Sequence, residues 1–180
     1  MTFRDHFLLM ADYNQRMNNQ LFEAAGKLST EELCADRGTF FSSVLGTLNH
    51  ILVGDLIWLA RFATHSDRYR SLADLSELPK PEGLNDVIYP KLSALRNARR
   101  EVDWSIKCWL ADEVQDTDFS KSLAYASTKG VESERNFGEL VCHLFNHQTH
   151  HRGQVTTLLN QQGIDVGITD FLIDIPDLKV

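Results

Sequence analysis

The sequence predicts an all-α protein, a four-helix bundle with a short hairpin or loop before the last long helix. Four segments carry apolar residues at the three- and four-residue spacing of amphipathic helices. These segments are residues 3–25, 40–63, 91–112 (or 85–112) and 136–162. Residues 118–134 instead alternate loosely around a possible turn at Lys129-Gly130, which favours two short strands.

Composition and charge limit the classes of function. A chain of 180 residues fits one domain, residues 1–180, because it can bury a sizeable core and no linker-like stretch divides it. The net charge of −7 argues against a nucleic-acid partner, which would require a basic face. No apolar run approaches the roughly 20 residues of a membrane span. The best run, residues 51–60, is interrupted by Asp55.

The N-terminus and the cysteines predict a cytoplasmic protein. The first residues lack the basic-then-apolar layout of a signal peptide. Cys34, Cys108 and Cys142 are odd in number and widely spaced, so they suggest no disulfide framework. Reduced thiols in a cytoplasm are the simplest account. We expect each cysteine to be a small buried residue without a role in chemistry.

Cap residues predict where the first elements begin and end. Residues 3–25 form the first helix, with a face of uncharged amide side chains. Ser29 followed by Glu32 has the spacing of a capping box, which predicts a short helical turn. Thr39 is the predicted cap of the second long helix, residues 40–63.

Two polar residues of the second helix stand out. Asp55 projects into the apolar stripe, where a carboxylate is costly without a partner. His50 projects away from the centre of that stripe, among small residues that include Gly46 and Gly54. From the helix alone, His50 is better explained as a surface or hydrogen-bonded histidine than as a metal ligand.

The third helix and the tail carry weaker patterns. The charged centre of the third helix, residues 96–101, favours a solvated face. Trp104 and Trp109 near its end are predicted to lie in the core or at an interface. The tail, residues 164–180, is partly apolar and is predicted to pack back on the bundle as a short helix or strap.

The last helix concentrates histidines. Four of the seven histidines of the chain fall in residues 143–151. His147 and His151 are one turn apart at the margin of the apolar face, whereas His143 and His150 turn toward the polar side. Two imidazoles at this spacing suit a metal clamp, but they also suit histidines hydrogen-bonded at the edge of a core. The spacing alone favours neither.

Three stretches resemble the DinB family of four-helix-bundle metalloproteins. The resemblance covers essentially the whole chain, in order and in separation. The stretches are residues 12–19 (DYNQRMNN), 48–59 (LNHILVGDLIWL) and 146–154 (NHQTHHRGQ). The third is the most specific of them.

The resemblance implies a metal site. In this family one histidine of the second helix and two of the last helix hold a single divalent ion, which here implies His50, His147 and His151. This overrules the interpretation of His50 from its helix alone. Three neutral imidazoles suit Zn²⁺ or Ni²⁺ and leave a coordination position open.

Other polar residues near the implied site are assigned as follows. Asp55 is expected either to orient a ligand imidazole or to pair with a cap or an arginine such as Arg152. His143 and His150 are expected to support the ligands or to face solvent, and His6 and His65 to lie on the surface.

The resemblance also implies a class of reaction. Family members with an assigned activity are similar to thiol-dependent transferases, in which the metal binds a low-molecular-weight thiol such as bacillithiol or mycothiol. The alternatives are metal-dependent hydrolysis and a non-catalytic metal-binding stress-response protein. A small-molecule substrate or thiol is the expected partner, and a homodimer the expected assembly.

Overall fold

The computed structural model describes residues 1–178 of the chain. This part contains six α-helices and one two-stranded hairpin. The long helices are α1 (Phe3–Ala25), α3 (Val44–Ala63), α5 (Leu92–Cys108) and α6 (Phe137–Asn160). The short ones are α2 (Thr30–Cys34) and α4 (Arg70–Ala73). Strands β1 (Ser122–Ala126) and β2 (Glu132–Asn136) pair antiparallel. The predicted all-α bundle with a hairpin before the last helix is confirmed.

The long helices form a closed ring in which each contacts two others. α6 packs against α1 and α3, and α5 packs against the same two helices from the opposite side. Their apolar faces meet in one continuous core. Within residues 1–178 no helix combines the length and the apolar character needed to cross a membrane.

Local capping explains most of the helix boundaries. Thr2 and Asp5 close a capping box on α1, and Ser29 and Glu32 close the predicted one on α2. Asn136 caps α6 by accepting a hydrogen bond from the Glu139 N–H, 2.9 Å away. Gly163 follows the end of α6 and adopts a left-handed φ of 74°, a conformation that glycine tolerates better than other residues.

The start of α3 corrects the sequence prediction. The helix begins at Val44 rather than at residue 40, and its cap is Ser43 rather than Thr39. Thr39 and Ser42 instead close a tight turn, in which Ser42 has a positive φ of 61°. The Ser43 hydroxyl then accepts the Gly46 N–H at 3.0 Å. The turn keeps Phe41 outside the helix.

The two tryptophans of the third helix have different surroundings. Trp109 is fully buried and stacks against Phe62 at 5.9 Å, so it belongs to the core. Trp104 is 64% exposed. The alternatives of core and interface therefore apply to different residues. Trp109 lies in the core, in the π-helical turn that follows α5, whereas Trp104 of α5 is exposed and available to a partner.

The tail packs back on α1 as a strap. Arg16 and Asp174 form a salt bridge at 2.6 Å. Phe171, in a short 3-10 helix, contacts the Tyr13 ring edge-on at 5.1 Å. This confirms the predicted strap as far as Asp174. Leu178 is exposed, and the last two residues of that prediction lie outside the described residues.

A buried ion cluster joins three of the long helices. The Arg99 guanidinium of α5 pairs with Asp55 of α3 and, at 3.0 Å, with Asp103. Asn18 of α1 donates to Asp103 at 2.9 Å. Burial, opposed by Arg99, raises the pKa of Asp55 to about 6. Of the two predicted alternatives for Asp55, pairing with an arginine is confirmed, although the partner is Arg99 rather than Arg152. The prediction that Asp55 orients a ligand histidine is wrong.

We predict that Arg99→Met lowers the free energy of unfolding by about 3–5 kcal/mol, because it leaves Asp55 and Asp103 as buried carboxylates without their salt-bridge partner. Chemical denaturation measures this loss. Arg100→Met is the matched control, since Arg100 is the exposed neighbour on α5. A loss of less than about 1 kcal/mol in Arg99→Met would contradict the ionic account of this cluster.

Candidate metal centre

Three imidazoles converge where α3 faces α6. The Nε2 atom of His50 lies 3.1 Å from Nε2 of His147 and 3.2 Å from Nε2 of His151. The potential ligand atoms of the three residues all lie within 4.8 Å of one another. The structure therefore brings together the three histidines that the sequence resemblance implied.

Helix geometry and one glycine make this convergence possible. His147 and His151 are one turn apart on α6, so both rings project toward α3. Gly54, one turn after His50, faces them: a Cβ at Gly54 would lie only 2.5 Å from Cε1 of His147. A side chain at position 54 would occupy the space that the His147 ring uses.

Hydrogen bonds fix the protonation of two of the rings. Nδ1 of His50 lies 2.8 Å from the Leu84 carbonyl oxygen, and Nδ1 of His151 lies 2.8 Å from Oε1 of Gln154. Because both partners are acceptors, each Nδ1 carries the proton and each Nε2 presents a lone pair. Nδ1 of His147 is buried and has no hydrogen-bond partner among the described residues.

The surroundings keep the cluster uncharged. Burial, reinforced by the neighbouring histidines, lowers the pKa of His147 to about 3. Burial also lowers the pKa of His50 and that of His151. Neutral imidazoles are the form that binds metals. Nitrogens around a tetrahedral Zn²⁺ lie about 3.3 Å apart, close to the two Nε2 separations seen here, so the donor set fits a divalent ion.

An aromatic side chain from the turn before α3 supports the cluster. The Phe41 ring stacks on His50 with ring centroids 3.7 Å apart, and it meets His151 edge-on at 5.5 Å. The sequence prediction of a helix over residues 40–63 includes Phe41 within the helix and so missed this role. It also missed the Leu84 carbonyl, because a backbone acceptor in an irregular loop leaves no mark in a sequence pattern.

The cluster opens into a cleft of about 990 Å³. Trp58 of α3 and Tyr125 of β1 line one wall, with their rings 5.2 Å apart. Leu84 and its neighbours in the loop before α5 line another. The three histidines therefore have protein on one side and an accessible cavity on the other.

The other histidines have varied environments. His143 and His150 are exposed at the edge of the cleft, as expected. His150 also lies 3.2 Å from the Gln154 amide nitrogen, which links it indirectly to His151. His6 is exposed, as predicted. The prediction for His65 was wrong: it is half-buried and stacks on Phe137 at 4.1 Å.

The cysteines lie outside the cleft. Cys34 and Cys142 are exposed and Cys108 is partly buried, which contradicts the expectation that all three are buried. All three are free thiols. None of them lines the cavity beside the histidines, so a thiol acting there would have to come from another molecule.

Comparison with known proteins identifies relatives over nearly the whole chain. The DinB family model matches residues 3–177. Protein DinB of Bacillus subtilis (strain 168) is 26% identical over 172 residues, which cover 93% of this chain and 92% of that protein. The uncharacterized protein YizA of the same organism is 22% identical over 145 residues, or 81% of this chain and 80% of YizA. No solved structure matches the chain.

We predict that Gly54→Ala separates the His147 and His50 rings, because the new methyl group needs the space of His147 Cε1. A crystal structure of the variant should show their Nε2 atoms farther apart than 3.1 Å. The same contact should offset the stability gained when alanine replaces a helical glycine, about 0.5–1 kcal/mol.

Gly153→Ala is the matched control. Gly153 lies in α6 beside Arg152, and a Cβ there meets nothing within 4 Å. It should gain the full stability of the replacement in chemical denaturation and leave the three rings in place. Equal gains in the two variants, with unmoved rings, would show that Gly54 is not needed for the approach of His147.

Proposed function

The chain belongs to the DinB family, and we propose that it binds one divalent metal ion, Zn²⁺ or Ni²⁺, through His50, His147 and His151. The observation that carries the proposal is the convergence of their Nε2 atoms, at least two of which present lone pairs toward one point. Without a cation these lone pairs would face each other in a largely buried cluster. Three protein ligands leave room for a ligand from the cleft, as in catalytic rather than structural zinc sites.

We further propose that the bound metal serves a thiol-dependent transferase reaction. When bound, the metal would lower the pKa of a coordinated thiol and so present a sulfur nucleophile to an electrophilic substrate. Since no cysteine of the chain lines the cleft, a low-molecular-weight thiol such as bacillithiol or mycothiol would supply the sulfur. Leu84 and Gln154 would hold two of the ligand rings in orientation.

Metal-dependent hydrolysis is the alternative reaction for this cleft. That reaction needs a base that can take a proton from water. The one carboxylate lining the cavity within residues 1–178 is Asp86. It accepts the backbone N–H groups of Glu82 and Gly83, at 2.6 and 2.9 Å, and so stabilises its own loop. His143 and His150 also line the cleft, and histidine is the most common general base. A thiol-dependent turnover assay, rather than the lining residues, therefore distinguishes the two reactions.

The setting of this activity is also part of the proposal. We propose a single-domain protein of the cytoplasm that forms a homodimer. Three free thiols favour a reducing compartment. The exposed Trp104 offers an aromatic contact of the kind enriched in protein interfaces.

We predict that the purified protein, prepared without an affinity tag, contains about one divalent metal ion per chain by elemental analysis. His50→Ala and His147→Ala should each lose it, because either change removes a ligand. His143→Ala should retain it, since His143 lines the same cleft but lies outside the cluster.

Two results of the elemental analysis would contradict the metal proposal. If the unmodified protein holds no metal even after Zn²⁺ or Ni²⁺ is added, the three histidines are a hydrogen-bonded cluster and the metal proposal fails. Retention of the metal in both cluster variants would also overturn the ligand assignment.

We predict that the metal-loaded protein couples bacillithiol or mycothiol to a chromogenic electrophile, and that His151→Ala abolishes turnover because the metal is lost. With 1-chloro-2,4-dinitrobenzene as the electrophile, the thiol sulfur replaces chloride on the ring, and chloride and the thiol proton are released. The absorbance of the thioether product measures the rate. His6→Ala is the control, since it removes an exposed histidine from the far end of α1. Metal binding without thiol affinity or turnover would favour the non-catalytic metal-binding alternative.

A further inference from the structure

Arg61 is a cation of the cleft without a carboxylate partner among the residues that the structure describes. Its guanidinium lies over the rings of Trp58 and Tyr125, 4.6 and 5.0 Å from their centroids. Within residues 1–178 no aspartate or glutamate forms a salt bridge with it. Stacking on aromatic faces holds a guanidinium in place but leaves its charge and its N–H edge available to an anion.

Arg61 shares a helix face and a cavity with the histidine cluster. It follows His50 on α3 by close to three full turns, so both side chains project to the same side of the helix, with Cα atoms about 16 Å apart. Both line the same cleft. One elongated molecule in this cleft could reach both groups.

The charged residues that line the cleft favour a negatively charged ligand. Lys129, in the exposed turn of the hairpin, also lines the cleft. Among residues 1–178 the carboxylate that lines the cleft is that of Asp86, and it accepts hydrogen bonds from backbone N–H groups. The lining of the cleft therefore carries two cationic side chains, Arg61 and Lys129, although the protein as a whole has a net charge of −7.

We propose that Arg61 binds the carboxylate of an elongated ligand whose other end reaches the three histidines. The guanidinium fork suits a carboxylate, which it can hold through two parallel hydrogen bonds. Stacking on the rings of Trp58 and Tyr125 already holds the guanidinium of Arg61 in place, so little side-chain entropy is lost when the ligand binds. The second half of the proposal rests on the proposed function, since a metal at the histidines would hold the far end. Arg61 thereby selects among thiols or substrates by charge and by length.

The test uses two thiols of equal length, mercaptoundecanoate and mercaptoundecanol, which differ only in the terminal carboxylate. Isothermal titration calorimetry measures their binding to the Zn²⁺-loaded protein, whose metal content is checked by elemental analysis. We predict that the carboxylate thiol binds about tenfold more tightly, the effect of one charge-assisted hydrogen-bonded contact. Arg61→Gln should remove this preference. Arg100→Gln, the same change at an exposed arginine outside the cleft, should keep it.

Two further measurements separate this proposal from that of the metal. Mercaptopropionate is too short to reach Arg61 from the histidines, so Arg61→Gln should not change its affinity. In the metal-free protein both long thiols should bind more weakly, but the Arg61-dependent preference for the carboxylate should remain. A preference that is absent, or unchanged in Arg61→Gln, overturns the role of Arg61 whether or not Zn²⁺ binds. Loss of Zn²⁺ binding alone overturns only the metal proposal.

Discussion

The rotation of α6 about its own axis is the constraint on which the candidate site depends. His147 and His151 are each followed by a buried polar residue, Gln148 and Arg152. Both of these residues hydrogen-bond to Asn14 of α1, on the side of α6 away from the cleft. If α6 rotated, the buried amide and guanidinium would lose their partners, at a cost of several kcal/mol. The polar contacts with α1 thus direct the two histidines toward α3.

An analogous constraint sets the rotation of α3. Asp55 must face Arg99 in the core, because a buried carboxylate without a cation is strongly destabilising. His50 lies five residues earlier, which places it about 140° away around the helix. That angle turns His50 out of the core and toward α6. It also explains why Asp55 cannot orient His50, a conclusion that the same arithmetic would have allowed from the sequence.

The sequence predicts the long helices and the three histidines better than it predicts the residues that hold the histidines in place. Periodicity and capping residues are local, so they located α1, α2 and α6 closely. The spacing of His147 and His151 was visible too, but His50 needed the family resemblance, because a single helix does not reveal which neighbour its second face meets. Phe41, Leu84 and the Arg99 pairing depend on a left-handed turn, a loop carbonyl and a tertiary contact. None of these follows a helical period.

The helices and the connecting segments between them contribute different parts of this cleft. The helices fix the three imidazoles through buried polar contacts, which tolerate little change without loss of stability. The hairpin and the loop before α5 supply Tyr125, Lys129 and the Leu84 carbonyl from outside the helices of the bundle. Such segments can vary in sequence at lower cost than a bundle core. We therefore expect the histidine geometry to be the shared part of such a site, and the chemistry recognised at the Arg61 end to depend on the hairpin packed against it.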